Sequence, residues 1–309
     1  MMSLARKRSL KLLLFALALP TLVLLLSRLW HDSGINGPVQ TQTDVSDSKH
    51  NSPENGAARS QNPELAQKPD RAPDRDLGKP ARPISADVDD PLGNQAAQQR
   101  LTMVQEQLAG RDITDERVLK AMRRVRRHLF VPEDLRDLAY TDRPLPIGHG
   151  QTISQPYIVA LMTQLGHPGE SARVLDVGTG SGYQAAVLAE LVQQVYSIEI
   201  LCPLADAARQ RLKSLGYDNV EVRCGDGHLG WSKHAPFDVI IVAAAPEHVP
   251  QPLIDQLASG GRLVIPVGKY YQELIVIEKQ PDGSIKKRTV APVAFVPMTR
   301  DNKDGGKAR

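Results

Sequence analysis

Arg173-Val174-Leu175-Asp176-Val177-Gly178-Thr179-Gly180-Ser181-Gly182 is the stretch on which the fold of this chain turns. Its first half is apolar apart from Arg173 and Asp176, the pattern of a strand buried on both faces of a parallel sheet. Its second half is a glycine-rich turn, and glycine lets a backbone bend sharply and approach a ligand with no Cβ in the way. Residues 183–191 then predict a helix. Strand, glycine loop and helix in that order is the context in which such loops hold nucleotides.

The alternation continues downstream. Residues 195–200 predict a second strand, Pro203 sits in the first turn of the helix that follows, and Gly216 ends it. Three more strands are predicted over 220–224, 239–243 and 263–267, with a helix over 250–257 between the last two. Repeated β-α units imply an α/β sheet with right-handed crossovers. The ending differs: residues 274–279, the turn Pro281-Asp282-Gly283-Ser284 and a further extended run predict an antiparallel hairpin. A parallel α/β sheet closed by such a hairpin is the Rossmann-like layout of AdoMet-dependent methyltransferases, and is less expected of a dinucleotide dehydrogenase.

The glycine spacing points the same way. A dinucleotide fingerprint needs a third glycine three positions after the second, and position 183 is Tyr. An acidic group at the strand end, Asp176, suits a cofactor carrying an ammonium and a sulfonium. Glu199 ends the next strand, placed to accept hydrogen bonds from ribose hydroxyls. Asp226, in Cys224-Gly225-Asp226-Gly227, is placed to accept from an adenine amino group. Singly, Glu199 and Asp226 would each be more ordinary as solvated loop carboxylates; their conjunction with the loop points to a nucleoside. The expected cofactor is S-adenosyl-L-methionine (AdoMet), and the expected cofactor residues are Asp176, Gly178, Gly180, Gly182, Glu199, Asp226 and Gly227.

Upstream lies Ile147-Gly148-His149-Gly150-Gln151-Thr152-Ile153-Ser154-Gln155-Pro156-Tyr157, a Gly- and Pro-punctuated loop before a helix containing Val159, Leu161 and Met162. On its residues alone, Ser154 reads as a helix cap with Pro156 in the first turn. Further back, Val118, Leu119, Met122, Val125 and Leu129 fall at helical spacing after the start signal Thr114 and Asp115. Arg123, Arg124, Arg126 and Arg127 interleave with that stripe and read as a solvated face rather than a nucleic-acid surface. The histidines at 128, 149, 167, 228, 234 and 248 show no helical metal spacing; they read as surface or loop residues, and no metal is expected.

The composition of the 309 residues, 41% hydrophobic and 24% charged, is that of a globular protein. Lys and Arg number 38 against 35 Asp and Glu, a net charge of +3 that argues against a dedicated nucleic-acid binder. Two cysteines are too few for a disulfide scaffold or a four-cysteine zinc site. Residues 1–30 carry Arg6, Lys7, Arg8 and Lys11 before an apolar run over 12–26 broken by Pro20 and Thr21, a signal-like or anchor-like segment. Residues 31–97 hold no Phe, Tyr or Trp and eight prolines, which predicts a disordered linker, since so little apolar surface cannot offset chain entropy. The folded domain is expected over 98–300, and 301–309 is a polar tail.

With these residues in view, the chain resembles the protein-L-isoaspartate O-methyltransferases. The resemblance runs from about Met103 to Thr299 and rests on Thr152-Ile153-Ser154-Gln155-Pro156, the 176–182 loop, Gly225-Asp226-Gly227 and Leu263-Val264-Ile265-Pro266-Val267-Gly268. The Thr152 stretch is the specific motif, because the glycine loop is shared by many methyltransferases. The resemblance implies that Ser154 is the active-site hydroxyl, and that Thr152, Ile153, Tyr157 and Thr299 contact the substrate. It also implies that residues 295–299 form the last strand. The implied reaction is methylation of the free α-carboxylate of L-isoaspartyl residues in damaged proteins and peptides; the ester then cyclises to a succinimide that opens partly to normal aspartate.

Two alternatives are weaker. Enzymes that methylate amino groups of nucleic acid commonly carry an Asn/Asp-Pro-Pro-aromatic motif after the fourth strand, where this chain reads Val242-Ala243-Ala244-Ala245-Pro246-Glu247. A non-catalytic or membrane-tethered AdoMet-binding module is opposed by the intact glycines, both acidic strand ends and Ser154. For location, the positive-inside rule applied to residues 1–30 would put the domain outside, by anchoring or export. AdoMet is made in the cytosol, so a cytoplasmic enzyme is expected. Its cysteines should then be free thiols, pairing only after export.

Overall fold

The computed structural model describes residues 93–300. The signal-like segment, most of the linker and the tail lie outside the described residues. The chain enters through α1 (Gly93–Thr102), a π-helical turn Met103–Ala109 and α2 (Glu116–Arg124). Asp115 caps α2 by accepting from Arg117 N at 2.9 Å, as the start signal implied. A small antiparallel hairpin follows, β1 (Leu145–Gly148) and β2 (Gln151–Ile153), leading into α3 (Pro156–Gly166).

The rest is the α/β sheet. Its strands are β3 (Arg173–Val177), β4 (Gln194–Glu199), β5 (Val220–Cys224), β6 (Phe237–Val242), β7 (Leu257–Val267), β8 (Gln272–Lys279) and β9 (Ile285–Val293). Helices α4 (Tyr183–Ala189), α5 (Cys202–Ser214) and the short α6 (Gln251–Asp255) connect them. The seven strands lie in the order β5-β4-β3-β6-β7-β8-β9. The first five run parallel, and β8 and β9 close the sheet as an antiparallel hairpin. The fold is thus the Rossmann-like methyltransferase sheet that the β-α rhythm implied.

Strand alternation divides the core between the two faces of the sheet. Val174, Val195, Val239, Ile241 and Val264 pack on one side with α2, α3 and α4. Leu175, Val177, Ile198, Ile240 and Val242 pack on the other with Trp231, Phe237 and Leu253. Burial on both faces explains why these strands read as continuous apolar runs. The order also places β3 between β4 and β6, so that the chain leaves β3 toward one side and returns on the other. The crevice at the carboxyl end of such a reversal is where open α/β sheets bind ligands.

Several expectations need correction. Helix α1 begins at Gly93, five residues ahead of the expected domain start at 98, and its Ala96 is fully buried. Arg126 and Arg127 are not on a solvated face: α2 stops at Arg124, Val125 is extended, and the 3-10 turn Arg127–Phe130 carries Arg127 inward. There its Nε donates to the Ala139 carbonyl at 2.7 Å and its guanidinium lies 4.8 Å from the Tyr183 ring. His128 and His228 are buried as well, His128 with Nδ1 2.7 Å from the Tyr140 hydroxyl. Residues 295–299 form no strand; Pro297 makes a single bridge to Ala245, flanked by Ala245 N to Val296 O at 2.8 Å and Met298 N to Ala245 O at 2.9 Å. Cys202 and Cys224 are not free thiols but a disulfide.

Candidate active site

The glycine loop leaves the end of β3 and folds back over the end of β4. Gly178 N and Thr179 N donate to the Ile198 carbonyl at 2.8 and 3.2 Å. This brings Gly180 N to the carboxylate that ends β4: Glu199 Oε2 accepts from it at 2.8 Å, while Oε1 accepts from Leu201 N at 3.0 Å. Each oxygen retains a lone pair for a further donor. Gly180 has φ +51, and a Cβ there would stand 3.3 Å from Ile147 Cδ1 of β1. The β1–β2 hairpin therefore packs directly onto the loop. Gly227, after β5, has no room for any side chain, since a Cβ would fall 2.4 Å from Val177 Cγ1.

These parts surround a cavity with about 870 Å³ of atom-free space, open solvent included. Gly178, Gly180, Glu199 and Gly227 of the expected cofactor set line it; so do Thr152, Ile153, Ser154 and Thr299 of the expected substrate set. A second cavity, about 1030 Å³ by the same measure, opens beside it between Pro144, Ile158, Pro292 and Phe295. The two share Thr152, Ser154, Ala243 and Val296. Ser154 thus stands at the junction. Its hydroxyl does not cap α3, whose N-cap is Gln155 with no side-chain hydrogen bond, while Pro156 does occupy the first turn.

Four expected site residues do not reach either cavity. Asp176 is completely buried, on the same face of β3 as Val174; its Oδ2 accepts from the Ser197 hydroxyl at 2.7 Å. Ser197 Oγ lies 2.6 Å from Thr179 Oγ1, so Asp176 meets the cavity only through a chain of hydroxyls. Burial drives its carboxyl up from an ordinary 3.8 to about 7; the Ser197 hydrogen bond opposes this and the nearby Glu199 charge adds to it. Gly182, at the N-cap of α4, serves packing: a Cβ would stand 3.2 Å from Leu212 Cδ1 of α5. Asp226 caps the turn Gly227–Leu229, its Oδ1 accepting from His228 N at 2.8 Å and lying 3.0 Å from His228 Nδ1. Tyr157 turns away to donate to Asp112 Oδ2 at 3.0 Å beneath the Arg111 guanidinium.

Sequence reasoning missed other parts of the wall. Gln151, Thr179, Met162 and Gln184 line the first cavity, and Ile158 and Phe295 the second. Thr179 and Gln151 lie inside motifs already singled out. Met162 and Gln184 carry no sequence signal, since both look like ordinary helix positions.

The residues present fit AdoMet. Glu199 offers carboxylate lone pairs at the end of the second strand, and the loop brings bare backbone to the same wall. Fold and site together define a Rossmann-like AdoMet-dependent methyltransferase.

Comparison with known proteins narrows the class. The sequence profile of the protein-L-isoaspartate(D-aspartate) O-methyltransferase family matches residues 98–303, two thirds of the chain, and the chain belongs to that family. It is 59% identical over 192 residues to the protein-L-isoaspartate O-methyltransferase 2 of Polaromonas sp. (strain JS666 / ATCC BAA-500), covering 62% of this chain and 91% of that protein. It is 56% identical over 224 residues to the protein-L-isoaspartate O-methyltransferase of Synechococcus sp. (strain JA-2-3B'a(2-13)), covering 70% and 90%. Among solved structures, a Plasmodium falciparum structure described as a protein-L-isoaspartate O-methyltransferase in complex with S-adenosyl-L-homocysteine superposes with a TM-score of 0.58 at 27% identity, covering 65% of this chain and 99% of that one.

Proposed function

We infer that the folded domain moves the methyl group of AdoMet to the free α-carboxylate of L-isoaspartyl residues in damaged proteins and peptides, and that Ser154 orients that carboxylate. The observation that carries the role of Ser154 is its place at the junction of the two cavities with a hydroxyl not used for capping. AdoMet, when bound, supplies an electrophilic methyl on a sulfonium sulfur. The acceptor carboxylate is already ionised near neutral pH, so the protein needs no general base. What the chain contributes is position: two reactants held in line, which is where most of the barrier can be removed. Glu199 and the glycine loop hold the nucleoside, Gly227 allows close approach, and Thr152 and Ser154 face the incoming carboxylate. The cavity beside Ser154, walled by Ile158, Pro292 and Phe295, receives the neighbouring polypeptide.

Replacing Ser154 with Ala tests the assignment. kcat/KM for an isoaspartyl peptide should fall by roughly 100-fold, the scale of a misplaced reactant, while the Kd for S-adenosylhomocysteine stays within experimental error. Unchanged kcat/KM would contradict it, as would a loss matched by weakened cofactor binding.

For location, the cytosolic supply of AdoMet favours a cytoplasmic enzyme. Among the described residues no helix is long and apolar enough to cross a membrane. The Cys202–Cys224 bridge is the opposing observation, because stable disulfides belong to oxidising compartments. Both are accommodated if the bridge is reversible, since cytosolic disulfides are usually transient and catalytic or redox-sensing. Cell fractionation decides: recovery in the membrane or periplasmic fraction would overturn the cytoplasmic assignment.

A further inference from the structure

We propose that the Cys202–Cys224 bridge is a thiol–disulfide exchange site that sets how tightly the first cavity holds its cofactor; the proposal rests on reading that cavity as the AdoMet site. The two residues are 22 apart in sequence, with Cα atoms 4.9 Å apart, and close a link between the carboxyl ends of adjacent parallel strands. Cys224 is in register with Glu199. The bridge therefore ties the turn leaving β4 to the turn leaving β5. Both turns build the cavity wall: Glu199 and Ile200 come from the first, Gly227 from the second. Cys224 Sγ itself lies 3.8 Å from the carbonyl oxygen of Ile200. With the bridge opened, the backbone bond from Gly225 N to Glu199 O, 2.9 Å, still joins the two turns, but the covalent brace between them is gone.

The two sulfurs are placed unequally. Cys202 is exposed and Cys224 half-buried. Cys202 is also the first residue of the 13-residue helix α5, where the positive end of the helix dipole favours a thiolate. A dithiol reductant reaches Cys202 first. Its thiolate attacks Cys202 Sγ, the S–S bond breaks, and the electron pair leaves on Cys224 Sγ, which takes up a proton. The reductant's second thiolate then attacks its own sulfur in the mixed disulfide and releases Cys202 as the helix-stabilised thiolate. The protein gains two electrons, and the reductant departs as a disulfide. Reoxidation by a disulfide of the glutathione type runs the same exchange backward.

The experiment is titration of the full-length chain with S-adenosylhomocysteine by calorimetry, once oxidised and once after dithiothreitol, with the thiols counted in each sample. The reduced form should bind about tenfold more weakly, the scale of an ordinary coupling between sites, and recover on treatment with oxidised glutathione. The double variant Cys202→Ser, Cys224→Ser should show the weaker affinity whatever the redox treatment. The wild-type comparison stands even if that variant does not fold. Equal affinity in both redox states overturns the proposal alone, as does a bridge that a dithiol leaves intact in the folded protein. No binding in either state overturns the cofactor assignment and the proposal with it.

Discussion

Asp176 is a carboxyl completely buried in the sheet, accepting a hydrogen bond from the Ser197 hydroxyl. A carboxylate at the end of β3 suits a cationic cofactor, yet its side chain points into the core, on the Val174 face. Alternation carried the signal: Leu175 and Val177 face one side of the sheet, so Asp176 must face the other. Its buried carboxyl, raised from 3.8 to about 7, binds a proton more tightly in the folded chain than in the unfolded one. Across that interval the folded state holds the extra proton, so stability falls as pH rises from 3.8 toward 7 and the cost persists above it. Asp176→Asn removes this titration while keeping an acceptor for Ser197. Urea unfolding at pH 5 and pH 8 should therefore show the wild type losing stability relative to the variant at the higher pH, and parallel profiles would contradict the account. Tyr157 is turned in a comparable way: two positions past Gln155, the helix has already carried its side chain round to Arg111 and Asp112.

At the scale of elements, the sheet was legible because strands buried on both faces must be apolar throughout, and the closing hairpin because Pro281-Asp282-Gly283-Ser284 can only turn. The glycine loop was legible because a sharp turn from strand into helix favours residues free to adopt positive φ, and Glu199 because it ends the next strand. What stayed hidden were contacts between elements far apart in sequence. Arg127 is the clearest case: its neighbours suggest a charged helix face, but the helix ends three residues earlier and a 3-10 turn inserts the guanidinium against Tyr183. Burial lowers its pKa to about 10, with the nearby Tyr183 and Tyr140 opposing the shift. Arg127→Ala should cost roughly 3 kcal/mol in urea unfolding, from the cavity left and the lost bond to Ala139, and Arg127→Met less because it refills the space. An alanine variant as stable as the parent would contradict a structural role for this turn. The disulfide was hidden likewise, because spacing in sequence does not reveal that the ends of β4 and β5 lie side by side.

At the scale of the whole molecule, α1 is held within the described domain. Ala96 is fully buried, and Arg100 donates to the Arg123 carbonyl at 2.6 Å and to the Tyr140 hydroxyl at 3.3 Å. A chain beginning at residue 93 should unfold at the parent's urea midpoint, whereas one beginning at 103 should unfold earlier; equal midpoints would show that α1 adds nothing. The substrate served by this assembly of loop, hairpin and cavities is read by incubating the full-length protein and labelled AdoMet with two peptides that differ only in an isoaspartyl or an aspartyl residue. Label is expected on the isoaspartyl peptide alone. Equal labelling of both peptides, or of neither, would contradict the account.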